Sequence, residues 1–87
     1  MPKKDANCGA MGSMAAAFMG LRQTGVPIST AMGIAESSSV DTNATAVARE
    51  INKLAYSEAQ YSLPENKAEA STKFRNVIEE QCYLAVS

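Results

Sequence analysis

The chain has 87 residues, 46% hydrophobic and 20% charged, which excludes a disordered or fibrous polypeptide and leaves room for a single domain over 1–87. Eight Lys and Arg against nine Asp and Glu give a net charge of −1, without the basic face that a nucleic-acid partner requires. No His is present, so the usual general base, zinc ligand and pH switch are all missing.

A chain this short buries only about 60% of its unfolded surface, so its core is small. Five Met, two Phe, three Tyr and no Trp leave that core few large rigid anchors. No apolar run reaches the roughly 18 residues that a membrane-spanning helix needs. The longest weakly polar stretch, 9–21, follows Lys3 and Lys4 but is broken by Ser13, and Arg22-Gln23 follows it without a small-residue cleavage pattern. It reads as a folded helix rather than a signal peptide. Residues 1–5 read as a flexible polar lead-in, either a native start or one standing where an export signal has been removed.

In chain order, a first helix is expected over about 6–24. Cys8, Met11, Ala15, Phe18 and Arg22 recur at steps of three and four, with Met14, Met19 and Leu21 on the adjoining strip. Gly9, Gly12 and Gly20 cost helix propensity and are expected to permit close helix–helix approach. Gly25 then supplies a left-handed stop, and Pro27 prevents continuation. Ser29 is expected to cap a short second helix to about Ser37, with Met32, Ala35, Ile28 and Ile34 facing inward. Ser37-Ser38-Ser39 breaks it, and Asp41, Thr42 or Asn43 caps a third helix over about 44–56, with Val47, Ile51, Leu54 and Ala55 as its apolar stripe. Arg49 and Lys53 fall on its solvated faces. The polar stretch 57–66, including Pro64, reads as a loop pinned to the core by Tyr61 and Leu63. A last helix over about 65–85 carries Ala70, Phe74, Val77, Ile78, Gln81 and Leu84 inward, with Cys82 at the stripe's edge. No stretch alternates apolar and polar residues, so an all-α compact bundle of three to four helices is expected.

Cys8 and Cys82 read as a disulfide or as two buried thiols. Two thiolates without His or a CxxC spacing cannot fill a zinc site, so no metal is expected. A disulfide closing a loop of about 75 residues would stabilise a small core by roughly 4 kcal/mol in the chain-entropy model, and antiparallel first and last helices would bring the two Cys together. That pairing places the chain in an oxidising compartment, periplasmic or secreted; reduced thiols would leave it cytoplasmic.

Little else carries chemistry. Glu79 and Glu80 point about 100° apart on a helix. Glu65 and Glu69 sit where the helix dipole already favours acids. Ser13, Ser29, Ser62 and Ser71 have no base, and Gly9 and Gly12 follow no strand, so neither a nucleophile nor a phosphate loop is supported. Asn43-Ala44-Thr45 matches a glycosylation sequon. No catalytic residue and no cofactor is assigned. The candidate partner-binding residues are Arg22, Gln23, Tyr56 and Tyr61, because Arg and Tyr are enriched at interface anchors. If the core cannot hide Met11, Met14 and Met19 together, a dimer or a partner groove follows.

The run Cys8 … Met11-Gly12 … Met19 … Arg22-Gln23-Thr24-Gly25-Val26-Pro27-Ile28-Ser29, with Ala55-Tyr56, Tyr61-Ser62, Phe74-Arg75-Asn76 and Cys82-Tyr83, resembles a family of small uncharacterised exported proteins of bacteria and their tailed phages or prophages. The resemblance spans about 8–84, and its most specific part is the RQxGVPxS string. It implies an exported helical domain with the first and last Cys paired, and no activity. The chain departs from it with the small residues Thr30, Ala31 and Gly33 around Met32. Together these readings lead to a non-enzymatic extracytoplasmic binding protein of phage or prophage type, a monomer or homodimer that inhibits or modifies a host envelope component. The alternative is a cytoplasmic phage accessory protein that blocks a host defence complex.

Overall fold

A computed structural model describes residues 2–38 and 42–85, which form four helices: α1 (Pro2–Gln23), α2 (Ile28–Ser38), α3 (Thr42–Tyr56) and α4 (Pro64–Ala85). The domain is all-α, as the sequence predicts. Residues 2–5, expected as a lead-in, belong to the first turns of α1.

The end of α1 follows from three consecutive residues. Gly25 adopts φ +84°, a left-handed conformation that a Cβ disfavours. Its N–H donates to the Arg22 carbonyl at 3.2 Å, and the Val26 N–H donates to the Leu21 carbonyl at 3.0 Å. This pair of bonds is the Schellman arrangement, which satisfies the carbonyls a helix end would leave unpaired. Pro27 then starts α2 rather than merely stopping α1. Its carbonyl accepts from Thr30 and Ala31 N–H, both at 3.1 Å, so the cap is Pro27 and Ser29 lies inside the helix. The same device recurs at α4, where the Leu63 carbonyl accepts from Asn66 and Lys67 and Pro64 takes the first helical position, one residue earlier than expected. Asp41, one of the expected caps of α3, lies outside the described residues.

Helices α1 and α4 share the most extensive interface. They run antiparallel: Cys8 and Cys82 are joined by a disulfide at one end, with Cα atoms 5.5 Å apart. At the other end the Lys67 ammonium donates to the Gln23 carbonyl. Cys82 is buried with Phe74 and Ile78 and, four residues after Ile78, lies at one edge of that stripe, as expected. Gly12 admits α4 closely, since a Cβ there would overlap the Glu79 side chain that Arg75 holds at 2.7 Å. Gly9 and Gly20 face open space and serve no such contact.

Helix α3 lies on α1 and on α2. Its buried arc is Ala48, Ile51, Asn52 and Ala55, not the expected Val47, Ile51, Leu54 and Ala55. Helix α2 likewise turns Ala31 and Ala35 inward and leaves Ile28 and Ile34 largely exposed, correcting their expected placement. The reason is size. Alanines let helix axes approach closely, so α2 and α3 seat on their small faces while the branched residues stay at the flanks. Arg49 is exposed, as expected, and pairs with Glu36, tying α3 to α2.

The shared core is thin: Ala15, Phe18, Met19, Ala35, Ala48, Ile51, Ala55, Phe74 and Ile78. The Cα envelope measures 38 × 25 × 16 Å, and its short axis is that of two packed helix layers, about 13–15 Å between outer Cα atoms. Helices α3 and α4 therefore flank α1 with little contact between them.

Candidate functional site

The four residues singled out from the sequence converge at the end of α1, and their surroundings define what they do. The Arg22 guanidinium lies over the Tyr56 ring, 5.7 Å from its centroid, within the range of a cation–π contact. Its Nε donates to the Glu58 carbonyl at 3.1 Å. The Tyr56 hydroxyl donates to the Val26 carbonyl at 2.6 Å. Burial pushes the Tyr56 phenol above its ordinary pKa, and the Arg22 charge offsets part of that rise.

Gln23 is 2% exposed, so it is no surface contact. Its Nε2 donates to the Ala59 carbonyl at 2.7 Å and approaches the Met19 sulfur at 3.4 Å, while its Oε1 accepts from the Tyr61 N–H at 2.8 Å. One buried amide thus reproduces the two backbone bonds that a strand neighbour would give the loop. Arg22, Gln23 and Tyr56 act together as a clamp that fixes the connection between α3 and α4. The expectation that Tyr61 and Leu63 pin this loop is corrected: both side chains are about half exposed, and the bonds that hold the loop are to its backbone at Glu58, Ala59 and Tyr61. Of the four, only the Tyr61 ring projects outward.

That ring marks one end of a groove between α3 and α4. At this end, Tyr61, Leu54, Phe74, Val77 and Lys73 are among the residues lining a volume of 480 Å³, with Met19 in its floor. At the other end, Val47, Ile51, Leu54, Gln81 and Ala85 line 560 Å³ over Met11, beside the disulfide at Cys82. Leu54, Ile78 and Gln81 belong to both, so the groove is continuous along about three turns of helix. Its lips are apolar and open: Leu54 is 50% and Val77 53% exposed. Its charged groups are few, with Glu58 and Lys73 at the Tyr61 end and Glu50 at the disulfide end. Lys73 bonds Glu69 at 2.8 Å, which lowers the carboxyl's pKa and raises the ammonium's.

Val47, Leu54 and Val77 are expected inward from the sequence and instead form these lips. Val47 and Leu54 lie about 100° round α3 from the arc that α1 and α2 cover, at 100° per residue. The signal that pointed here was the methionines. Met19 is buried at 1% exposure, but Met11 and Met14 are only partly covered, which is the condition set for a groove or dimer.

The groove is lined mainly by apolar side chains. Among the described residues no cluster of His, Cys, Asp or Glu could hold a metal ion. Among them, too, no helix is long and apolar enough to cross a membrane. Comparison with protein-family models, curated proteins and solved structures gives no significant match.

Proposed function

We propose that the chain is a non-enzymatic binding protein that works outside the cytoplasm, of the phage or prophage type its sequence resembles. In this reading it engages a host envelope protein through the groove between α3 and α4, and so inhibits or modifies that protein. The observation that carries it is the groove itself, an open apolar trough with half-exposed Leu54 and Val77 on opposite lips. Contiguous exposed apolar surface of this kind marks contact sites in small soluble domains. The disulfide supports the compartment, because such bonds persist where the surroundings are oxidising. It also supports the mechanism: a trough whose α4 wall is tied to α1 loses little entropy on binding.

The test has two arms. Thiol titration of unreduced protein is expected to find no free thiol, and two free thiols would sink the extracytoplasmic reading in favour of the cytoplasmic one. Immobilised protein is expected to retain one envelope protein that the Leu54→Asp variant releases. Equal retention by a folded Leu54→Asp variant would remove the groove as the binding surface.

A further inference from the structure

Resting on the reading of this groove as a binding surface, we infer that its occupant in the absence of a target is a second copy of the chain, held across a two-fold axis. Helix α4 supplies both a wall of the groove and the ridge to fill it. Val77 and Leu84 lie seven residues apart on its outer lip, 53% and 65% exposed, and Leu84 is the most exposed large hydrophobic side chain described. A two-fold interface requires a surface complementary to itself. This one has an apolar middle, the Lys73 ammonium on the α4 side of the Tyr61 end with Glu58 on the α3 side, and the Glu50 carboxylate at the disulfide end.

Setting two α4 helices antiparallel, with the axis between Val77 and Gln81, fixes the register. Each Lys73 then stands opposite Ala85 of the other copy, where Glu50 lines the same part of the groove. Each Leu84 stands opposite Phe74, where Leu54 and Tyr61 form the wall. The apolar ridge meets the apolar trough while the cation meets the anion. Neither charge is committed elsewhere by burial: Lys73 and Glu50 have side chains 73% and 70% exposed, and their present partners are the neighbours Glu69 and Lys53 on their own helices. A dimer so formed covers the groove, and a target must displace the second copy to enter it.

Sedimentation equilibrium of the oxidised protein tests this. The wild type is expected to dimerise with a dissociation constant in the micromolar range, on the order of 1–100 µM for an interface of modest size. Val77→Asp is expected to be monomeric with its helical signal unchanged. Glu50→Lys and Lys73→Glu are each expected to weaken the dimer about tenfold, since symmetry counts the pair twice, and the double variant to recover it. A wild type that stays monomeric through that range overturns the inference, as does a double variant no tighter than the singles. These outcomes separate from those of the preceding section. A monomer that still loses its envelope partner on Leu54→Asp keeps the binding site and loses the dimer. A dimer that captures nothing from the envelope keeps the dimer and loses the target.

Discussion

Among the described residues two side-chain amides are buried, and the regions around them are built differently. Gln23, at the junction of α1 with the loop before α4, has both ends of its amide bonded. Asn52, on the face of α3 that meets α1 and α2, is fully buried with neither Oδ1 nor Nδ2 partnered. The first region adds the disulfide, the Lys67 contact and large side chains such as Phe18 and Phe74. The second relies on Ala31, Ala35, Ala48 and Ala55 and on one exposed ion pair, Arg49 with Glu36. Buried polar groups stabilise when satisfied and cost when not, so α1 with α4 is the firm half and α2 with α3 the yielding one.

The largest test of that contrast is the staple. Replacing both Cys8 and Cys82 by Ser is expected to cost about 4 kcal/mol in denaturant unfolding, since the cross-link closes nearly the whole chain. Native-state hydrogen exchange should then show the protection of α4 falling toward that of α2. A loss confined to α2 and α3 would invert the comparison.

Next is the clamp. Gln23→Ala leaves the Ala59 carbonyl and the Tyr61 N–H without their partner, and is expected to cost about 1–3 kcal/mol. Proteolysis should move to the loop 57–63. An uncut loop would mean that Arg22 and Tyr56 hold it alone.

Asn52 should respond in the opposite direction. Asn52→Leu keeps the branched shape with somewhat larger methyl groups and removes two unpaired polar atoms, and is expected to stabilise by about 1 kcal/mol net, read as a higher denaturant midpoint at unchanged slope. Destabilisation would show that the amide has a bonding role in solution.

Smaller still is the alkaline limb. Burial raises the Tyr56 phenol in the folded state, so folding binds its proton more tightly. That contribution is complete below the ordinary phenol pKa near 10 and is lost as pH rises through the folded value. Tyr56→Phe should flatten the fall in stability above about pH 10, although losing the Val26 bond lowers stability at neutral pH. An unchanged alkaline slope would place the titrating group elsewhere. The smallest effect belongs to the exposed pair Arg49 and Glu36, where Glu36→Gln is expected to change stability by less than about 1 kcal/mol.

Much of the fold was legible along the chain because its signals are local. Gly25 and Pro27 could only end one helix and admit another, and the spacing of Phe74, Ile78 and Cys82 gave α4 its buried stripe. Antiparallel terminal helices made a Cys8–Cys82 bond one of two readings, beside two buried thiols, and the fold realises the bond. The candidate site was legible only in part. Arg22, Gln23, Tyr56 and Tyr61 do gather in one place, yet a sequence cannot distinguish a Gln aimed at solvent from one aimed at a loop backbone. Val47, Leu54 and Val77 have the period of core residues and nothing local to mark them as lips.

Sequence alone determined an all-α chain of three to four helices with its breaks, a candidate pairing of Cys8 with Cys82, and the absence of His from any chemistry. Tertiary structure decided which apolar residues the helices bury. Small alanine faces let α2, α3 and α1 approach closely, which rotated the branched residues of α3 outward and left α4 standing apart across the groove. That outcome depends on how three helices share one thin core, a quantity that no single helix encodes.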